Sequence, residues 1–256
     1  PQGARDDMTG HTATDYAMLI DGRPVGAEDG RWLDVGNPYT GTTWARGPIA
    51  TDDQIDQAGA SARAAFDHGP WGSALPAERA AALRRLAAAV DEHADSLTRT
   101  QVLENGKAIR EQAAQTKGLA GFFTYFAGIA ENITGATIPV SVPANFLYTM
   151  REPLGVVAAL VPWNSPLALL VWKLAPALAA GNSIVIKPSE TSPVSALQLA
   201  ALAEQAGLPP GVINVVTGEA AAGARLVSHP HIDKVAFTGS TTVGKLVGSA
   251  AIQNLT

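Results

Sequence analysis

The chain has 256 residues, of which 46% are hydrophobic and 16% charged, and its formal net charge is −5. This composition is typical of a globular protein with one large or two medium domains, and its acidic balance argues against nucleic acid or anionic membranes as main partners. The chain has no cysteine, which excludes a disulfide framework, a thiolate metal site and a thiol nucleophile within it, and we predict no metal site.

The N-terminal segment predicts little regular structure at first and short strands afterwards. Residues 1–15 are polar and show no secretory signal, so we expect a disordered segment and a cytoplasmic protein. Short strands with hairpin chemistry are predicted over residues 16–20 and 31–35, with a turn at Asp21 and Gly22.

Three helices are predicted next from apolar residues at helical spacing. They cover residues 52–66, residues 76–97 or beyond, and residues 109–129. The third carries Phe122, Phe123 and Phe126 on one face, which favours either an apolar substrate nearby or ordinary core packing.

A hairpin arm is predicted over residues 138–152. Apolar and polar residues alternate in segments 138–142 and 146–150, as in a pair of strands. Pro139 and Pro143 suit edge strands better than the centre of a sheet.

Strands and helices alternate from residue 153 to the end. Strands are predicted at 156–161, 183–186, 212–216 and 234–237, and helices near 167–179, 193–206, 219–228 and 241–251. Continuous apolar strands alternating with helices are typical of a parallel sheet covered on both faces. We therefore predict an α/β fold in which a doubly wound, Rossmann-like sheet over 153–256 follows strands and helices over 16–137, with ligands at the carboxyl ends of the strands.

The segment 237–244 predicts a phosphate-binding turn. A buried strand runs into Gly239, Ser240 and Thr241, and a helix follows. Such a turn exposes backbone N–H groups at a helix N-terminus, where the helix dipole attracts negative charge. Residues 239–245 also match the first seven positions of a P-loop, but Leu246 occupies the position of the Ser or Thr that holds magnesium, which disfavours an NTPase.

Two other strand ends carry unusual polar residues. Asn164, between two prolines, presents an amide that could stabilise an oxyanion, or it could cap the next helix as an Asx-turn. Lys187 and Glu190 could hold a ribose from two sides. Alternatively, Ser189 caps the next helix and Lys187 and Glu190 are surface charges.

These motifs, in this order, resemble those of the NAD(P)-dependent aldehyde dehydrogenases. The segments that carry the resemblance are residues 37–41, 151–156, 162–164, 172–182, 187–190, 206–216 and 237–241. The resemblance extends from about residue 17 to the end. It implies oxidation of an aldehyde to a carboxylic acid through a cysteine thiohemiacetal, with hydride passing to the cofactor.

The resemblance also implies roles for individual residues. Asn164 would donate its side-chain amide to the oxyanion, and Lys173 would assist a proton relay or form a structural salt bridge. The residues implied in cofactor binding are Pro162, Trp163, Lys187, Ser189, Glu190, Gly218, Phe237, Thr238, Gly239, Ser240, Thr241, Val243 and Gly244. NAD is favoured because Glu190 would repel a 2′-phosphate, although NADP is possible.

The partners implied are a small-molecule aldehyde and, through the arm at 138–152, further copies of the protein as a homodimer or homotetramer. The chain departs from the family in having neither the nucleophilic cysteine nor the water-activating glutamate, so we expect an N-terminal portion that is inactive alone. A non-catalytic cofactor-binding or assembly module of the same family remains an alternative.

Overall fold

The computed structural model describes residues 5–6 and 12–256. Its strands are β1 (Arg5–Asp6), β2 (Thr12–Asp15), β3 (Met18–Ile20), β4 (Arg23–Val25), β5 (Trp32–Gly36), β6 (Thr43–Pro48), β7 (Thr137–Ile138), β8 (Leu147–Tyr148), β9 (Val156–Val161), β10 (Ser183–Pro188), β11 (Ile213–Val215) and β12 (Lys234–Phe237). Its α-helices are α1 (Asp52–Asp67), α2 (Pro76–Glu92), α3 (Ala94–Asn105), α4 (Ile109–Lys117), α5 (Leu119–Ala130), α6 (Pro166–Ala180), α7 (Val194–Gln205), α8 (Ala220–Val227) and α9 (Thr241–Ala251), and a 3₁₀ turn follows at Ile252–Asn254.

The main sheet has six strands in the order β12-β9-β10-β11-β3-β4, and the first four are parallel. Side chains of β9 alternate between two cores. Val157, Ala159 and Val161 face the core that contains α2, α5, α6 and α7, whereas Val156 and Ala158 face α1 and α8. Because every residue of β9 and β10 is buried, both strands are continuous apolar runs. The predicted doubly wound α/β fold is confirmed.

The N-terminal hairpin extends this same sheet. Asp21 and Gly22 both have positive φ, as a two-residue hairpin between β3 and β4 requires. Strand β3 pairs antiparallel with β11, and the backbone N–H of Asp21 donates to Oδ1 of Asn214 over 2.9 Å. The sheet therefore includes strands from both sides of residue 153, where the division into two domains stays a prediction.

A second sheet has the order β1-β2-β6-β5, in which β6 was not predicted from the sequence. Strand β2 pairs with β6, and Arg46 forms an ion pair of 2.7 Å with Asp15. The expectation of disorder over 1–15 is therefore wrong for β1 and β2, because pairing to a packed strand orders the backbone; the rest of that segment lies outside the described residues.

Two of the predicted helices are each divided in two. The helix expected over 76–97 ends at Glu92, where the His93 backbone leaves the helical region and its ring Nδ1 lies 2.9 Å from the Ala89 carbonyl oxygen. The helix expected over 109–129 is interrupted at Gly118, whose N–H bonds to Gln115 in a tighter turn. Glycine is a poor helix former, which favours a break there.

The predicted arm is less regular than expected. Only Thr137–Ile138 and Leu147–Tyr148 pair, as two residues on each strand. Pro139 and Pro143 lack the N–H that a longer ladder would need. Among the described residues, no helix is both long and apolar enough to cross a membrane; the cytoplasmic location and the oligomeric role of the arm stay predictions.

Candidate active site and cofactor groove

A groove of about 380 Å³ opens at the carboxyl ends of β9, β10 and β12 and extends between α8 and α9. This is the edge of the sheet where a doubly wound fold binds its ligands. Nine of the residues predicted for the cofactor line it: Pro162, Lys187, Ser189, Glu190, Phe237, Thr238, Gly239, Ser240 and Val243.

Lys187 and Glu190 form the polar end of the groove. Nζ of Lys187 lies 3.5 Å from Oε2 of Glu190. Lys187 is 7% exposed, so burial lowers the pKa of its ammonium group, while Glu190 and Glu219 oppose that shift. A lysine this buried is not a surface charge. Nor does Ser189 cap α7, because its hydroxyl lies 3.2 Å from that of Thr191 and helix α7 has no side-chain cap.

The turn after β12 brings a helix N-terminus to the groove. Ser240 is the N-cap of α9, and its Oγ accepts a hydrogen bond from the N–H of Val243 over 3.3 Å. The ring of Phe237 packs against Gly239, where an added Cβ would lie 2.5 Å from Cζ of the ring. A side chain at position 239 would therefore displace the aromatic wall of the groove.

The P-loop alternative is wrong on geometry. Helix α9 begins at Thr241, and the N–H of Gly244 bonds to the carbonyl of Ser240 within its first turn. A P-loop needs the residues before its lysine to form a loop around the phosphates. Here Thr241 and Gly244 lie within the helix, outside the lining of the groove.

Asn164 lies in the exposed loop between β9 and α6. Its side chain does not cap α6, because Ser165 occupies the N-cap position, so the Asx-turn alternative is not observed. Trp163 is 57% exposed, and neither it nor Asn164 lines the groove, whereas the neighbouring Pro162 does. Asn164 is thus an exposed residue two positions after one that lines the groove.

Lys173 joins α6 to the turn after β12. Its Nζ donates to the hydroxyl of Thr238 over 2.6 Å and to the carbonyl of Leu169 over 3.1 Å. Within the described part of the chain it forms no ion pair, so the salt-bridge alternative is not observed there. Burial lowers the pKa of its ammonium group.

Gly218 lies just before the N-cap of α8, one of the two helices that flank the groove. It is buried with φ of 154°, a backbone conformation that side chains rarely adopt, and an added Cβ would lie 2.8 Å from Cβ of Ala222. It does not line the groove. Among the described residues, no cluster of three or more His, Asp or Glu side chains could hold a metal.

Apart from Phe237 and Val243, the residues of the apolar walls of the groove were not predicted from the sequence. Two helices contribute stripes with the same spacing: Ala220, Gly223, Ala224 and Val227 on α8, and Val243, Leu246, Val247 and Ala250 on α9. Apolar residues spaced three and four apart also occur on ordinary helices that face the core. The sequence therefore carries no signal that separates a groove-lining helix from a core-facing one. Exposure separates them, since Leu246 is 67% and Val243 is 44% exposed.

The groove therefore combines an apolar slot, an ammonium–carboxylate pair and a helix N-terminus. These features suit a flat ring, sugar hydroxyls and phosphate respectively. A nucleotide has all three parts.

Comparison with known proteins agrees with this chemistry. The model of the aldehyde dehydrogenase family matches residues 25–256. Phenylacetaldehyde dehydrogenase of Pseudomonas fluorescens is 44% identical over 94% of this chain and 49% of its own length. Human mitochondrial 10-formyltetrahydrofolate dehydrogenase is 41% identical over 94% of this chain and 27% of its own.

Solved structures agree as well. A betaine aldehyde dehydrogenase of Staphylococcus aureus in complex with NAD⁺ is 34% identical and superposes with a TM-score of 0.91 over 94% of this chain and 48% of its own. An NAD-dependent aldehyde dehydrogenase of Sinorhizobium meliloti is 36% identical and superposes with a TM-score of 0.92 over 94% of this chain and 48% of its own. The chain thus spans about half the length, or less, of the relatives it matches.

Proposed function

The chain belongs to the aldehyde dehydrogenase family, and on that premise we propose that it supplies the NAD-binding groove and the oxyanion-binding amide of an enzyme that oxidises an aldehyde to a carboxylic acid. The observation that carries the proposal is the convergence of Lys187, Glu190 and Ser240 on one groove at the sheet edge. Lys187 and Glu190 come from the end of β10 and Ser240 from the turn after β12, and Pro162 adds the end of β9.

The donor set fits a nicotinamide dinucleotide. Lys187 and Glu190 would hold the hydroxyls of the adenosine ribose, since a carboxylate accepts from hydroxyls and an ammonium group donates to them. The N-terminus of α9, with Ser240, would hold the pyrophosphate. The slot between the stripes of α8 and α9 would take the adenine ring. Trp163, Gly218, Thr241 and Gly244, which do not line the groove, would support its walls rather than contact the ligand.

NAD is the cofactor we propose rather than NADP. Glu190 is exposed at the ribose end of the groove, and the buried ammonium group of Lys187 already faces it. A 2′-phosphate placed there would bring negative charge against the carboxylate. The S. aureus relative binds NAD⁺.

The residues of this chain would bind and polarise rather than carry out the covalent step. When bound, NAD supplies the acceptor for the hydride that leaves the aldehyde carbon. Asn164 would donate its amide N–H to the carbonyl oxygen as negative charge develops there. Lys173 keeps Thr238 in place at the groove. The chain has no cysteine, so the thiol nucleophile that the proposed reaction needs lies outside these 256 residues.

Calorimetric titration tests the cofactor proposal directly. We expect the chain to bind NAD, and we expect Lys187→Met to weaken binding about tenfold because one charge-assisted hydrogen bond is lost. Lys245→Met, a change to an exposed lysine of α9 outside the groove, is the matched control and should leave binding unchanged. Binding of magnesium-ATP in the same titration, without binding of NAD, would refute the proposal.

A non-catalytic cofactor-binding module is the second candidate, favoured by the lack of cysteine. It predicts the same NAD affinity. Hydride transfer separates the two candidates. If NADH forms from NAD and an aldehyde when this chain is part of a longer polypeptide that carries a cysteine, the catalytic proposal stands. If no aldehyde is oxidised there, the non-catalytic module remains.

An oligomer formed through residues 138–152 is a further part of the proposal, because that arm exposes Phe146 and Met150.

A further inference from the structure

A second polar cluster lies beside Asn164, away from the cofactor groove. It consists of Lys107, which follows α3, Gln115 of α4 and Ser165 at the N-cap of α6, and we call it the Lys107 cluster. Nζ of Lys107 donates to Oγ of Ser165 over 2.7 Å and to Oε1 of Gln115 over 3.3 Å. Nε2 of Gln115 donates to the same Oγ over 3.3 Å.

The surrounding contacts hold this cluster in one arrangement. The backbone N–H of Lys107 donates to Oδ1 of Asn105 over 2.9 Å, and Gly106 between them is left-handed with φ of 76°. Oε1 of Gln115 also accepts from Nε2 of Gln112 over 3.3 Å, which orients the amide of Gln115 with its nitrogen toward Ser165. The lysine is therefore aimed at Ser165 by fixed neighbours.

Two donor protons in the cluster have no acceptor among the described residues. Ser165 uses both lone pairs of Oγ to accept from Lys107 and Gln115, so its own O–H must donate elsewhere. Lys107 has three N–H donors and uses two of them. The described residues thus leave one hydroxyl donor and one ammonium donor, next to each other, for a further acceptor.

The positive charge of Lys107 is also unneutralised within the described residues. The half-buried Arg46 pairs with Asp15, and Lys187 pairs with Glu190, whereas no carboxylate lies within 4.0 Å of Lys107. Ser165 is the residue after Asn164, so an acceptor bound here would be a neighbour of the group that holds the aldehyde oxygen in the proposed reaction.

An aromatic contact lies two turns of α6 beyond the cluster. Trp172 follows Ser165 by seven residues, which places it on the same face of α6 at a distance of about 10 Å. Its ring lies 5.9 Å from that of Phe122 on α5, a separate helix from the α4 that carries Gln115. Trp172 is 52% exposed, so this contact and the Lys107 cluster form one accessible strip with a cationic end and an aromatic end.

We infer that Lys107 and Ser165 form a binding site for an anionic oxygen group, a carboxylate, carried by the aldehyde substrate on an apolar chain. The carboxylate accepts from the free protons of the ammonium and hydroxyl groups, and the chain lies against Trp172. The inference rests on the proposed aldehyde oxidation for its biological meaning, but the site itself can be tested without catalysis.

Two unreactive probes of the same shape provide the test: 4-phenylbutanoate and 4-phenylbutanamide, titrated by ligand-detected NMR. We expect the carboxylate to bind this chain about tenfold more tightly than the amide, since only the carboxylate makes charge-assisted hydrogen bonds. Lys107→Met and Ser165→Ala should each reduce that preference, the first to within about twofold, whereas Lys107→Arg should retain most of it. Lys117→Met, which changes an exposed lysine at the end of α4, is the matched control.

Equal affinity for the two probes, or a preference that survives Lys107→Met, overturns the inference. So does a loss of affinity for both probes in equal proportion, because that result assigns Lys107 the purely structural task of holding the loop. NAD is titrated into the same variants, and Lys107→Met should bind it as the parent chain does. Failure of NAD to bind the parent chain refutes the proposed function alone, whereas the probe preference decides the carboxylate site alone.

Discussion

The ammonium group of Lys173 donates a hydrogen bond of 2.6 Å to the hydroxyl of Thr238, which joins helix α6 to the turn after β12. The two residues are 65 positions apart in the sequence. The bond connects the element that begins just after Asn164 to the turn that lines the cofactor groove. Together with the pairing of β12 to β9, this bond fixes helix α6 relative to the turn that lines the groove.

Removing this contact should weaken both stability and cofactor binding. We expect Lys173→Met and Thr238→Val each to lower the free energy of unfolding by about 1 kcal/mol, and the double variant to lose less than the sum. Urea denaturation of the four proteins of this cycle measures the coupling. Additive losses would show that the two groups do not interact, and Lys245→Met serves as the control for loss of a lysine charge.

Cofactor choice should respond to Glu190. In Glu190→Gln we expect the affinity for NADP relative to NAD to rise about tenfold, because the amide no longer repels a 2′-phosphate beside Lys187. Calorimetric titration with both cofactors measures the ratio. Glu92→Gln, a change to an exposed glutamate at the end of α2 and outside the groove, should leave the ratio unchanged. A ratio unchanged in Glu190→Gln contradicts the assignment of this carboxylate to the ribose.

Buried Glu104 should make stability depend on pH. Its carboxylate accepts from the N–H groups of Val194 and Ser195, over 2.9 and 3.3 Å, and from the hydroxyl of Ser195. Burial raises its pKa from 4.5 to about 7. Because the folded pKa lies above the unfolded one, its contribution to stability is fully present below pH 4.5 and is lost as the pH rises through 7.

The variant Glu104→Gln keeps the shape of the protonated acid without titrating. Relative to this variant, we expect the parent chain to lose about 3 kcal/mol of unfolding free energy between pH 4.5 and pH 7.5. Denaturant titrations at a series of pH values measure the difference between the two proteins. A difference that stays constant over this range would mean that Glu104 does not titrate with a raised pKa.

Gly59 of α1 should tolerate no side chain. An added Cβ would lie 2.5 Å from Cε1 of His229, which is buried in the connection between α8 and β12. We expect Gly59→Ala to lower the free energy of unfolding by about 2 kcal/mol through overpacking. Gly248→Ala on α9, where nothing lies within 4 Å, should instead raise it by about 0.5 kcal/mol through helix propensity. Thermal melts of both variants check the opposite signs.

The alternation of strands and helices after residue 153 was readable from the sequence alone. Strands β9 and β12 have the predicted bounds because a strand buried on both faces is a continuous apolar run with a sharp end. The residues at the carboxyl ends of β9, β10 and β12, Pro162, Lys187 and Phe237 among them, meet at the groove because parallel strands place those ends at one edge of the sheet. The apolar runs of the strands, and the fact that parallel strands end at the same edge of a sheet, were sufficient to predict this part of the fold and the position of the groove.

Only the tertiary structure decided which other residues line the groove, join the sheet or contact the loop after β9. Leu246 carried a spacing common to core helices, and exposure to a groove, not sequence, makes it part of a wall. Strand β3 joins the same sheet from the far end of the chain, and Lys107 reaches Ser165 across 58 positions. Contacts of this kind depend on how elements pack, and packing is a property of surfaces that are distant in sequence, so no local pattern encodes them.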